Sequence, residues 1–229
     1  MTFIELRQEV YWANVSLPKA GLVTMHSGNA SGIDRGSGIM LIKPSGIDYD
    51  ILRPENLVAI RLDGSLAGSN EIPDGIVSRL NPSVDTPHHL RLYSADHNLG
   101  GIIHTHSNFA TAWAVHERPI PCALTAIADE FGGAIPCTPY VDNQADNIVR
   151  AILAYRTKAP AILLGRHGVF TFDRTPRAAF KAAVMVEDVA RTMLLANYLG
   201  PVLPLPEAEI AKWWNRYHTT YGQSDAAIQ

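Results

Sequence analysis

The chain has 229 residues, 47% hydrophobic and 18% charged, which suits one α/β domain or two small ones and excludes a disordered polymer. A net charge of -3 supplies no basic field for nucleic acid or an anionic membrane. Cys122 and Cys137 are too few for a disulfide scaffold and are expected to be reduced.

The N-terminal residues Met1 to Arg7 carry charges where a signal peptide needs an apolar core, and no run is long enough to span a bilayer, so a cytoplasmic protein is expected. Phe3 to Leu17 has roughly helical spacing and is stopped by Pro18. Leu22 to Met25 reads as a short strand running into Ser27-Gly28-Asn29-Ala30-Ser31-Gly32. Small residues there let a backbone approach a ligand and offer N–H groups to an anion, although composition alone favours a plain turn. Ile39 to Ile42 is a strand, followed by Lys43-Pro44-Ser45-Gly46, a lysine, a hydroxyl and a glycine suited to a phosphate. Leu57 to Leu62 is a strand with a hairpin signal at Asp63-Gly64, and Gly68 to Asn81 is a long loop.

Pro82-Ser83-Val84-Asp85-Thr86-Pro87 opens a helix, with Asp85 or Thr86 as its cap and Pro87 in its first turn. His88 and His89, at an exposed helix start, are expected to face solvent. Helices are expected over Asn108 to Val115 and Asp146 to Tyr155, Thr125 to Phe131 reads as a short helix or a turn, and Asp129-Glu130 reads by itself as surface charge. Ile135-Pro136-Cys137-Thr138 is an edge strand at best, since proline cannot donate to a ladder. Ala161 to Leu164 is a strand, Thr175-Pro176 starts the longest helix, to about Tyr198, and a last helix spans about Pro206 to Tyr217. Neither an internal repeat nor an interdomain linker interrupts this order, so a single domain over 1–229 is expected, with a core of about 6–223.

The chemistry concentrates in Gly100 to Ser107, where an apolar run ends in His104-Thr105-His106. Alternate residues of a strand share a face, so both imidazoles point one way and can chelate a metal if a third ligand arrives. His167, in Arg166-His167-Gly168 at the end of another apolar run, is the third candidate. A His-x-His pair alone has weak specificity and more often marks ordinary histidines.

Taken together, Gly28-Asn29-Ala30-Ser31, Lys43 to Gly46, Pro82 to Pro87, Gly100 to Ser107, Ile135 to Thr138, Arg166-His167-Gly168 and Tyr221-Gly222-Gln223 resemble the class II aldolase/adducin family, most closely its L-ribulose-5-phosphate 4-epimerase branch. The resemblance covers about Leu6 to Gln223. It implies an α/β fold of the α+β type, with a mostly antiparallel sheet flanked by helices, and a homotetramer with sites at subunit boundaries. It further implies a divalent metal, zinc or else manganese or cobalt, on His104, His106 and His167. Asn29, Lys43, Ser45, Gly46 and Ser83 fall where the family holds a substrate phosphate. Asp85 falls on a catalytic carboxylate, and Asp129 and Tyr221 on an acid/base pair that a neighbouring subunit contributes.

The implied activity is epimerisation of a phosphorylated ketose by retro-aldol cleavage and re-addition through an enediolate that the metal stabilises. Alternatives are a sugar-phosphate aldolase, a decarboxylase of a phosphorylated oxo-sugar acid, a non-catalytic adducin-like module, or a three-histidine hydrolase or hydratase. Four departures from the epimerase pattern surround the expected pocket. Val84 stands for a serine, and the Gly68 to Asn81 loop is longer. The stretch from Thr138 to Ile148 is shorter and lacks a glutamate, and Trp213 falls where the epimerases place a functional histidine.

Overall fold

The computed structural model describes residues 1–144 and 146–222; Gln223, the end of the terminal motif, lies outside them. Helix α1 (Phe3–Lys19) leads to strands β1 (Asn29–Asp34), β2 (Ile39–Ile42) and β3 (Val58–Arg61), then α2 (Thr86–Ala95) and β4 (Gly101–Thr105). Next come α3 (Asn108–Val115), α4 (Thr125–Phe131), β5 (Cys137–Tyr140) and α5 (Asn147–Tyr155). The hairpin β6 (Ala161–Gly165) and β7 (Gly168–Asp173) precedes α6 (Pro176–Asn197) and α7 (Glu207–Thr219). The strands form one sheet in the order β3-β2-β1-β4-β7-β6-β5, antiparallel throughout except for the β5–β6 pair at one edge.

Both faces of the sheet are covered, which explains why β2 is apolar without alternation. Met40, Ile42, Ile102, Phe170 and Phe172 join the core shared with α2 and α5. On the other face Ile39 and Leu41 meet α1, Ala30 and Ile103 meet α1 and α6, and Leu163 and Val169 meet α3, α4 and α6. Gly101 has a direct steric role: a Cβ there would lie 2.4 Å from Pro176 N, so the start of α6 can close over β4 only because no side chain intervenes. Cys122 and Cys137 are buried and free.

Two sequence expectations fail at the N-terminal side. Leu22 to Met25 is a turn region, and the strand is β1, in the stretch expected to be a loop. Its small polar residues have little strand preference of their own, but β2 and β4 flank it and complete its hydrogen bonds. Buried Asn14 fastens α1 to it, donating to Val10 O and Ala30 O and accepting from Ala30 N. Strand β7 was not read from the sequence, although its alternating Val169, Thr171 and Phe170, Phe172 carried a period-two signal. Pro18 does not stop α1 at Leu17; the helix runs on to Lys19.

The long loop from Gly68 to Asn81 is anchored rather than free. Arg7, 1% exposed, sends its guanidinium to both carboxylate oxygens of Asp74 at 2.6 and 3.0 Å and to Ile76 O. The chain then joins the segment after β2: Ser45 N donates to Asn81 O, and Ser83 N donates to Lys43 O. This joining brings the two expected phosphate segments side by side.

Candidate active site

At the C-terminal end of β4, His104 and His106 project to one side as the strand period requires, and the β6–β7 turn brings His167 to them. Their ligating nitrogens all lie within 4.8 Å of one another, and His104 Nε2 is 3.0 Å from His106 Nε2. His104 Nδ1–H donates to Val169 O at 2.9 Å, which leaves its Nε2 lone pair facing the other two rings. Its ring also stacks on Phe170, with centroids 4.5 Å apart. Burial pushes the His104 ring down to about 4, against the pull of Asp85, and burial likewise lowers His106 and His167. Three neutral nitrogens converging from one side, with ring orientation fixed behind, fit a divalent cation that keeps positions free for substrate.

The turn that carries His167 is tight: His167 N donates to Leu164 O, and Arg166 sits at φ 57°, tied to Glu117 by an ion pair of 2.8 Å. Gly168 follows because nothing larger fits. A Cβ would lie 2.5 Å from Thr105 O and 2.6 Å from His106 Cδ2. Gly168→Ala should therefore cost about 1–3 kcal/mol by overpacking and displace His106. Thermal unfolding together with divalent-metal stoichiometry checks this, and normal metal content in the variant would refute it.

The cavity over the triad, about 250 Å³, is lined by Asn29, Lys43, Ser45, Gly46, Ser83, Val84 and Asp85 among others. All five expected phosphate residues are thus assembled around the three histidines. Asn29, 2% exposed, donates to Ser83 Oγ at 3.1 Å and to Asp85 Oδ2 at 2.7 Å. Asp85 heads α2, but its side chain makes no cap bond, contrary to the capping expectation; it turns to Asn29 instead. Burial would raise its carboxyl, yet His104, His89 and the Asn29 amide together hold it below the ordinary range. Lys43 is 2% exposed, donates to His26 O at 3.1 Å and lies 4.7 Å from the Tyr49 ring centroid. Burial pushes its ammonium down to about 8.

Asp129 and Tyr221 are elsewhere in the same chain. Tyr221, 60% exposed, stacks on Tyr217 and borders a separate cavity of about 820 Å³ with Glu130 and Lys181. Asp129 is half-buried in α4, and neighbouring Glu130 is buried 2.7 Å from Lys181, so this pair is not the solvated surface charge expected from composition. His88 and His89 also depart from expectation. They are 6% and 0% exposed, because the start of α2 packs against the sheet beneath the cavity instead of protruding.

Trp213 packs against the core, and its Nε1 donates to Glu209; it lines neither cavity. Two contributors escaped the sequence. Asn143 lines the triad cavity from the loop between β5 and α5, the stretch read as shortened. Glu187 on α6 accepts from Phe109 N and Ala110 N, both at 2.9 Å, fixing the start of α3 just after His106. A carboxylate in mid-helix gives no such signal from spacing.

The sequence matches the family described as Class II Aldolase and Adducin N-terminal domain over residues 8–194. The chain belongs to this family. It is 36% identical to L-ribulose-5-phosphate 4-epimerase UlaF of Salmonella paratyphi B over 96% of this chain and 99% of that one. The corresponding protein of Salmonella typhi has the same identity and coverage. Among solved structures, an L-fuculose 1-phosphate aldolase shares the fold with a TM-score of 0.81, at 24% identity over 93% of this chain and 96% of that one. Among the described residues, no helix is long and apolar enough to cross a membrane.

Proposed function

We propose that this protein is a divalent-metal-dependent epimerase of a phosphorylated ketose, acting on L-ribulose 5-phosphate or a close analogue, with zinc on His104, His106 and His167. The observation that supports this reading is that the triad, a half-buried carboxylate and a lysine-bearing cradle line one cavity. His104, His106 and His167 would hold a divalent ion there, which would supply Lewis acidity to the reaction.

The chain's own residues do the rest. Lys43 attracts the phosphate dianion while Ser45, Gly46, Ser83 and Asn29 orient it. Asp85 Oδ accepts the proton of the C4 hydroxyl as the C3–C4 bond breaks, and the electron pair of that bond passes to the ketone-side fragment. After the aldehyde turns its other face, the bond reforms and the C4 oxygen regains a proton.

Protonation on the second face is assigned to Asp129 and Tyr221 of a second copy, since Tyr221 borders a different cavity in its own chain. The assembly in this reading is a homotetramer in the cytoplasm, with one domain per chain. Mixing a His104→Ala protein with an Asp129→Asn protein should recover part of the activity, because some hybrid interfaces then hold two intact halves. No recovery after verified subunit exchange would count against a shared site.

The Lys43 shift gives a pH signature. The folded ammonium titrates at about 8, and a bound dianion favours its charged form. Binding is therefore strongest below that pH and weakens as pH rises through it. KM for the phosphorylated substrate should climb above pH 8, and Lys43→Met should raise KM at pH 7 by about 10–100-fold while abolishing the climb. Equal KM values for phosphorylated and free sugar would refute the assignment.

A second reading, an aldolase, is favoured by Val84, 80% exposed at the cavity where a hydroxyl is expected. NMR of the zinc-loaded protein with L-ribulose 5-phosphate separates the two. The C4 epimer supports the epimerase, and stoichiometric release of a two-carbon aldehyde phosphate supports the aldolase.

A further inference from the structure

Beneath Asp85 lies a buried polar network that the reaction as described does not use. Residues 85, 89 and 93 fall one helical turn apart on the face of α2 that meets β1. Asn29 and Ser31, alternate residues of β1 on the facing side, answer them: Asn29 holds Asp85, and Ser31 Oγ lies 2.7 Å from His89 Nδ1 and 2.9 Å from Tyr93 Oη. Ser31, His89 and Tyr93 are all completely buried.

The hydroxyl protons have one order in which each finds an acceptor. Tyr93 donates to Ser31, and Ser31 donates to His89 Nδ1. The ring proton then belongs on Nε2, a buried atom with no hydrogen-bond partner among the described residues. The ionisable groups around His89 are Asp85, His104 and His88, and its ring tilts against the same Phe170 on which His104 stacks.

We infer that His89 is a positioning residue for Asp85: a neutral imidazole whose Nε2–H, oriented by the Tyr93–Ser31 relay, directs a dipole at the carboxylate and holds it toward the substrate cavity. An aromatic or aliphatic side chain would fill the same space without that dipole. The inference rests on Asp85 acting as the base, so its test must separate the two ideas.

The test is a double-mutant cycle on zinc-loaded protein with L-ribulose 5-phosphate, reading kcat, KM and zinc per chain. His89→Phe keeps a ring against Phe170, removes the imidazole dipole, and should lower kcat by about 10–100-fold. KM should stay within about threefold of wild type, with one zinc per chain. In an Asp85→Asn background the same change should alter kcat by less than about twofold. An equal loss in both backgrounds would show that His89 does not act through Asp85, and unchanged kcat for His89→Phe would overturn the inference outright. Wild-type kcat in Asp85→Asn alone would instead refute Asp85 as the base.

If His89→Phe fails to fold, Tyr93→Phe removes only the far hydroxyl of the relay. Long-range ¹H–¹⁵N NMR of the zinc-loaded protein should show the Nε2–H tautomer of His89 in wild type and a mixture in Tyr93→Phe. An Nδ1–H tautomer in wild type, or an unperturbed ring in the variant, would overturn it.

Discussion

Replacing His106 with alanine should abolish divalent-metal binding and lower turnover by more than about 10³-fold while leaving the fold intact. The magnitude follows from the several kcal/mol that a Lewis-acidic ion contributes to such a reaction, each 1.4 kcal/mol being about tenfold in rate. His106 is the best of the three to change because it is the exposed member. His104 is 2% exposed, stacks on Phe170 and bonds to Val169 O, so its removal would mix the loss of a ligand with a cavity in the core. Elemental analysis of protein purified without added metal should find about one ion per wild-type chain and none in His106→Ala, with closely similar thermal unfolding of the two metal-free proteins. A fully active wild type without metal, or a His106→Ala protein with normal zinc and turnover, would rule out the triad as the reaction centre.

Asp85→Asn is expected to have the second largest effect, a loss of about 10²–10⁴-fold in kcat, the usual share of one acid/base group. Zinc content should not change, because the carboxylate is not among the three converging ligands. KM should change little, because Lys43 and Ser45, proposed to hold the phosphate, make no hydrogen bond to Asp85 among the described residues. Asp85 is half-buried and heads α2, yet the side chain does not cap that helix. Removing its charge thus takes no hydrogen bond from α2 and should leave unfolding within about 1 kcal/mol of wild type. Steady-state kinetics beside metal analysis checks both parts. A tenfold rise in KM with kcat preserved would reassign Asp85 from proton transfer to substrate binding.

The two variants separate what the site owes to the cation from what it owes to a proton acceptor. They also bear on how the site is assembled. The histidines come from a strand end and a hairpin turn, whereas Asp85 comes from a helix start fixed to β1 by Asn29 and, through Ser31, by His89.

Local chemistry in the sequence was sufficient for much of this molecule. The His-Thr-His period placed two imidazoles on one side of β4, because side chains alternate along a strand in whatever fold contains it. β2 and α3 run as their periodicity indicates, and the Lys43 and Ser83 segments both line the triad cavity. Tertiary structure decided the rest. β1 is a strand because β2 and β4 lie on either side of a stretch too small and polar to announce itself. His88 and His89 are buried because α2 packs against the sheet, an event that no i to i+4 spacing encodes. Asp85 became a site residue instead of a cap because an asparagine 56 positions earlier offers a better partner than its own helix. Long-range packing alone brings Asn143 to the triad cavity and Glu187 to the start of α3. Spacing along the chain dictates which way neighbouring side chains point, whereas burial and distant hydrogen-bond partners exist only once the sheet has closed and its helices have docked.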